Sequence, residues 1–431
     1  MMNSKAEPDD ELLCLNLSRV QARQGIPNAR GDDGSGVRWV KPMHHKGRHF
    51  LQIPGPTNVP DRILRAVAQP TIDHRGPEFA TLAREVLTGV RAVFKTSGPV
   101  VIFPSSGTGA CEAALVNTLS PVDKVLTVEI GEFSRLWAEL ARRLGLDVHV
   151  IDTDWTRAVD PALVESALAA DTGQKIKAVM VVHNETATGC VSAIPEIRKA
   201  MDRTGHPAML LVDAVSSLGA MDLRHDEWGI DVTVSGSQKG LMLPPGLGFN
   251  AVSQKALAAS RLSRFGKSYW SWESMLGPNQ TGFFPFTPAT NLLYGLREAL
   301  QMIQEEGLEN VFRRHAYLAE AARAAVRAWG LRIRCENPAE CSDVLTTVML
   351  PEGHDADAFR TIVLERFNLS LGAGLGRLKG RAFRIGHLGD LNELMLTGTL
   401  CGIEMGLQLA GVPFSPGGVN TAMANLTARQ H

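Results

Sequence analysis

Val232-Thr-Val-Ser-Gly-Ser-Gln-Lys-Gly-Leu-Met-Leu-Pro-Pro-Gly246 reads as a short apolar strand that opens into small polar residues around a single lysine, Lys239. Upstream, Leu210-Leu-Val-Asp-Ala-Val-Ser-Ser217 puts Asp213 at the end of a second apolar strand. An aspartate that closes an apolar strand is poorly solvated and needs a cationic partner. A lysine beside it, in a loop of small residues, is suited to form a Schiff base with a carbonyl compound.

Outward from this pair, apolar β-branched runs alternate with amphipathic helical patterns over residues 60–255. Strands are expected at 99–103, 124–130, 148–151, 178–182, 209–213 and 232–235, with helices between them such as 112–119 and 134–144. Continuous apolar strands are those buried on both faces. Their alternation with helices implies an α/β fold, a mostly parallel sheet with helices on both sides. Ligands of such sheets collect at the carboxyl ends of the strands. Ser105, His183, Asp213 and residues 235–239 all fall there. Beyond residue 291 come long helical patterns at 291–306 and 310–329, strands at 344–350 and 382–385, and helices at 356–367 and 392–409, which read as a smaller α+β C-terminal domain. The expected division is a disordered N-terminal extension over 1–46, an N-terminal arm and large domain over 47–290, a small domain over 291–415 and a tail over 416–431.

Pro104-Ser-Ser-Gly-Thr-Gly-Ala-Cys-Glu112 joins a strand to a helix. Small residues at a helix N-terminus let backbone N–H groups approach an anion such as phosphate. Neither a Gly-Lys-Ser/Thr ending nor a dinucleotide fingerprint is present, so a nucleotide-binding loop and a nicotinamide dehydrogenase are disfavoured. Phe133, in Gly131-Glu-Phe-Ser-Arg135, is placed to stack on a flat ring. Thr186, in His183-Asn-Glu-Thr-Ala-Thr-Gly189, is placed to meet a ring hydroxyl. Arg384 sits inside an apolar strand, and a buried arginine needs an anion, a substrate carboxylate or an internal acid. Each residue taken singly has a plain structural explanation as a cap, a core aromatic or an internal ion pair. A phosphate loop, a stacking ring, an acid and a lysine at successive strand ends together match the demands of pyridoxal phosphate.

Composition narrows the field. With 431 residues the chain is long enough for two or three folding units. Hydrophobic content of 44%, charged content of 21% and a net charge of −1 are those of an ordinary globular protein, and they make nucleic acid and anionic membrane poor partners. No apolar run has the length of a bilayer span. The acidic start lacks a signal-like apolar core, and the six cysteines are scattered without metal-type spacing, so a cytoplasmic protein with reduced thiols and no metal is expected. Met43, just ahead of the confident pattern, is a candidate start, which would make residues 1–42 dispensable.

Ile53-Pro-Gly-Pro-Thr-Asn58, Ser105-Ser-Gly-Thr-Gly109, the 183–189 motif, Val212-Asp-Ala-Val-Ser-Ser217, Ser235-Gly-Ser-Gln-Lys-Gly240 and Phe383-Arg-Ile-Gly-His-Leu-Gly389 form a specific set. On these residues the chain resembles class V, fold-type I pyridoxal-phosphate aminotransferases, in particular the serine–glyoxylate and alanine–glyoxylate group. The resemblance implies that Lys239 bonds the cofactor and shuttles a proton, and that Asp213 pairs with the pyridine nitrogen. It gives the phosphate to Ser106, Gly107, Thr108 and Gln238, the ring face to Phe133 and the ring hydroxyl to Thr186. Arg384 would take the substrate α-carboxylate and Gly55 would line the substrate pocket. Thr287 and Arg75 would serve the partner's site in a homodimer, with Arg75 and His74 in a segment that approaches it. Phe284 stands where many relatives carry tyrosine, and Tyr269, Trp270 and Trp272 have no assigned role. The implied reaction moves an amino group from a small L-amino acid, serine first, to glyoxylate. Aspartate–glyoxylate and alanine–glyoxylate transamination are the near alternatives. Cysteine desulfuration is disfavoured because no cysteine lies in a Gly/Ser-rich catalytic loop, and a non-catalytic cofactor-binding protein is the distant reading.

Overall fold

In the computed structural model, which describes residues 47–428, a central sheet runs in the order Val100–Ser105, Gly246–Val252, Val232–Gly236, Met209–Asp213, Ile176–Val182, Lys124–Glu129, Asp147–Asp152. Neighbours are parallel except Gly246–Val252, which is antiparallel to both flanking strands. The pleat explains the unbroken apolar runs. Met180, Leu211 and Val234 face one core with Phe79, Phe103 and Phe249, whereas Val179, Val181, Leu210 and Val212 face another with Ile194 and Ile197. The α/β fold, mostly parallel in its central sheet, is as expected.

All six expected strands of this sheet are present; the seventh, Gly246–Val252, was not expected. At Gly248 an added Cβ would lie 2.7 Å from the Ser106 carbonyl oxygen and 3.1 Å from Ala110 Cβ, so the glycine lets a helix lie close on the strand. The helix expected at 112–119 starts earlier, at Gly107, because Ser106 caps it: its Oγ accepts the Gly109 N–H at 3.4 Å.

The second sheet has the order Phe50–Gln52, Leu369–Ala373, Ala382–Gly386, Leu345–Met349, Arg332–Ile333. Phe50–Gln52 is early in the chain yet pairs in parallel with Leu369–Ala373. Helices Leu308–Ala328, Ala356–Phe367 and Glu393–Leu409 cover this sheet around Phe359, Phe383 and Ile403. Residues 416–431, expected as a tail, contain the helix Gly418–Ala428, whose Ala422 and Leu426 join the same core. The expectations for residues 1–46, including the candidate start at Met43, lie outside the described residues. Among the described residues no helix is long and apolar enough to cross a membrane.

The Phe359 ring packs at 4.8 Å on Phe383, the neighbour of Arg384, and is fully buried. Phe359→Ala is expected to cost about 3–5 kcal/mol, read as a lower urea midpoint. Leu394→Ala, at a position 82% exposed, is expected to leave the midpoint within the equivalent of about 0.5 kcal/mol.

Candidate active site

The parallel strands bring their carboxyl ends to one edge, and the loops that follow converge there. Asp213 ends its strand, and its Oδ1 accepts the Val215 N–H at 2.8 Å. Lys239 follows Val232–Gly236, and its Nζ donates to the carbonyl oxygen of Pro54. Thr57 ties the Lys239 loop to the same segment, its N–H donating to Gln238 O at 3.1 Å and its hydroxyl to Lys239 O at 3.3 Å. Gly55, at φ +92°, must be glycine: a Cβ there would stand 2.3 Å from Lys239 Cδ. Pro54 also leans on the second sheet, since a Cβ on Gly372 would meet Pro54 Cδ at 2.8 Å and one on Gly386 would meet the Ile53 carbonyl oxygen at 2.2 Å.

Arg384 arrives from the second sheet. Its Nε donates to Ala373 O at 2.7 Å and its Nη1 to Thr186 O at 2.9 Å. The Thr186 hydroxyl is 2.9 Å from Ser216 Oγ, which also accepts from Asn184 Nδ2 at 2.8 Å. Phe133 is half-buried at the start of the helix Glu132–Arg143, and its N–H donates to Glu185 Oε1 at 3.2 Å.

The loop from Ser106 to Thr108 forms a tight cradle. A Cβ on Gly107 would meet Val215 Cγ2 at 2.7 Å, and one on Gly236 would stand 3.0 Å from Gln238 Oε1 and 3.4 Å from the Gly107 nitrogen. Gln238 Oε1 is buried with no partner. With the amide turned over, its N–H groups face the same space, as a phosphate would require. Tyr269 and Trp270 back this cradle: Tyr269 donates to Pro104 O at 3.0 Å, and the Trp270 ring edge would stop a Cβ on Gly109 at 2.7 Å. Trp272 is core, bonded through Nε1 to Asn250 Oδ1 at 3.0 Å.

Four ionisable groups are sealed in this region: Glu185 is 0%, Asp213 8%, Arg384 8% and Lys239 9% exposed. None forms an ion pair with another of the four among the described residues. Burial pushes each towards its neutral form. Asp213 rises to about 6 against the Val215 N–H and Lys239, and Glu185 rises to about 7 against three backbone N–H groups. Burial and then the Arg384 charge lower Lys239 to about 8, with Asp213 opposing, and burial lowers Arg384 to about 10. Unpaired buried charges of both signs mark a site built for a ligand with complementary groups.

Lys239, Asp213, Gly55, Thr186, Arg384, Phe133, Gln238 and the 106–108 loop are thus linked by contacts around one cleft. Thr287 and Arg75 are exposed, and no hydrogen bond joins either to that cluster within the chain. Phe286 beside Thr287 stacks at 4.7 Å on Tyr269, which reaches the cradle at Pro104. Phe284 turns inward and packs edge-on against Phe79 at 6.0 Å. Reasoning from the sequence missed Pro54, Ser216 and Glu185; only Glu185 carried a signal, as an acid three residues past the end of an apolar strand.

A buried lysine and a buried acid that are not ion-paired, beside a glycine cradle at a helix N-terminus, fit an enzyme built around pyridoxal phosphate. Residues 49–376 match the family Aminotransferase class-V, and the chain belongs to that family. It is 51% identical to a serine–glyoxylate aminotransferase of Methylorubrum extorquens, over 88% of this chain and 96% of the relative. It is 44% identical to an L-aspartate–glyoxylate aminotransferase of Paracoccus denitrificans, over 85% and 92%. The solved pyridoxamine–pyruvate aminotransferase of Mesorhizobium loti superposes with a TM-score of 0.84 at 29% identity, covering 90% of this chain and 99% of that one.

The lysine's lowered pKa has a measurable cost. Folded Lys239 titrates near 8 and the unfolded side chain near 10.5. Below 8 both states are protonated and the full penalty of the buried charge applies; as pH rises from 8 to 10.5 the folded state sheds its proton first and the penalty fades. In cofactor-free protein, Lys239→Met is therefore expected to stabilise by about 2–3 kcal/mol at pH 7. Urea titrations should show that gain vanishing towards pH 10.5; a gain independent of pH would mean that the buried charge is not its source.

Proposed function

We propose that this enzyme transfers the amino group of L-serine to glyoxylate, giving hydroxypyruvate and glycine. The observation that carries this reading is Arg384, a buried guanidinium that forms no ion pair among the described residues, in the same region as Lys239. Its planar fork suits the α-carboxylate common to amino acid and keto acid. Pyridoxal phosphate, when bound, supplies an aldehyde that carries the amino group and a pyridine ring that accepts electron density.

The chain's own residues do the rest. The Lys239 amine, poised near neutrality, takes the proton from the substrate α-carbon and returns it. Asp213 holds a proton on the ring nitrogen. Backbone N–H groups of Ser106, Gly107 and Thr108, with the Gln238 amide, hold the phosphate. Phe133 covers a ring face, and Thr186 meets the ring hydroxyl. Gly55 lets the Lys239 side chain lie against the 53–57 segment, at the wall assigned to the substrate. Serine is preferred as donor because the 51% identical relative bears that name. Aspartate is the second reading, from the 44% identical relative. Five cysteines that form no disulfide among the described residues are in keeping with a cytoplasmic enzyme.

A donor panel with glyoxylate tests the reading by the rate of glycine formation. Serine is expected to exceed aspartate and alanine in kcat/KM; aspartate ahead by tenfold, about 1.4 kcal/mol of transition-state preference, would replace it.

The active unit is a homodimer in which Thr287 reaches the partner's phosphate and Arg75 approaches the partner's substrate. Both residues are exposed, and neither side chain has a hydrogen bond or ion pair among the described residues, as expected of a residue donated outward. Mixing inactive Lys239→Ala subunits with Thr287→Ala subunits should restore activity, since one site of each mixed dimer recovers both native groups. No recovery in mixed dimers isolated with two tags would refute the shared site.

A further inference from the structure

We propose that Glu185 is a positioning residue of the transamination site: its carboxylate ties the backbone of Phe133 to the turn of Thr186, fixing the ring-covering side chain relative to Arg384. The inference rests on the roles proposed above for Phe133, Thr186 and Arg384.

The helix Glu132–Arg143 starts at Gly131, which has no side chain to cap it. Glu185, from a different segment, fills that place. Its Oε1 accepts the Phe133 N–H at 3.2 Å and the Ala187 N–H at 3.0 Å, and its Oε2 accepts the Ser134 N–H at 3.0 Å. The first two bonds bridge the helix start and the Thr186 turn through one oxygen. Gly131 is glycine to admit this approach, because a Cβ there would stand 2.3 Å from Glu185 Cγ. The turn so held presents the Thr186 carbonyl to Arg384 Nη1 at 2.9 Å. A single carboxylate therefore connects the stacking residue, the residue facing the ring hydroxyl and the carboxylate-binding guanidinium.

A neutral serine or asparagine as a local cap would satisfy the helix at lower cost, since burying a carboxylate is expensive even when it is hydrogen-bonded. Ionised, above about pH 7, Glu185 brings something a neutral cap lacks. It favours the charged state of Arg384, which burial disfavours. Asp213, on the other side, disfavours the Glu185 charge. The helix N-terminus offsets that repulsion.

The test uses holoenzyme and 2-methylserine, which has the serine carboxylate and amine but no α-proton, so binding is read from the visible cofactor band without turnover. Glu185→Gln keeps the shape, removes the charge and turns an amide N–H towards backbone donors. It is expected to raise the dissociation constant for 2-methylserine about tenfold or more and to shift the visible band. Glu185→Asp keeps the charge but is one methylene too short to bridge Phe133 and Ala187. It should shift the band while raising the dissociation constant less than Glu185→Gln does. A purely structural cap would lower the thermal midpoint and leave both readouts of the folded holoenzyme unchanged. An unchanged band and a dissociation constant within twofold, in whichever of the two variants folds, overturns the proposal. Arg384→Lys is the control: if it leaves 2-methylserine binding unchanged, the assignment of the carboxylate site fails rather than the role of Glu185.

Discussion

Charge buried without a contact partner is the constraint on which the rest of this structure depends. Lys239, Asp213 and Arg384 are each nearly sealed from water, and each is held by backbone carbonyl oxygens or N–H groups instead of by an opposite charge. Backbone groups do not neutralise a charge; they orient it. The desolvation cost is borne without an internal partner, which suits the roles proposed above, in which cofactor and substrate between them bring the aldehyde, the ring nitrogen and the carboxylate. Direct ion pairs would have stabilised the empty fold, and each would then have to break before the ligand could bind.

That economy explains why two sheets are needed. The central sheet places Asp213 and Lys239 at the ends of adjacent parallel strands. A guanidinium on a third strand of the same sheet would lie beside the aspartate and pair with it. Bringing Arg384 from the second sheet, anchored on Ala373 O and Thr186 O, keeps it apart from Asp213 while still lining the cleft.

How much of this was legible beforehand depended on the range of the physics involved. Strand ends, the glycine cradle, Lys239, Asp213 and Arg384 announce themselves locally, through apolar periodicity broken by a residue that has no business in a core. The strand Gly246–Val252 did not, because its glycines serve a helix packed against it, a contact invisible in a linear pattern. Phe50–Gln52 pairs with a strand more than three hundred positions away, and no local signal encodes such a register. Tyr269 and Trp270 were seen as aromatics without a task until the cradle they back was in place.

Pro54 lies between the two sheets. Its carbonyl oxygen accepts from Lys239, its ring rests against Gly372, and two residues before it the strand Phe50–Gln52 is hydrogen-bonded into the Arg384 sheet. The segment acts as a crank. Any tilt of the second sheet would carry the acceptor of the lysine with it, because both belong to one short segment. Through one proline, the register of the Arg384 sheet and the seat of the Lys239 amine are set together.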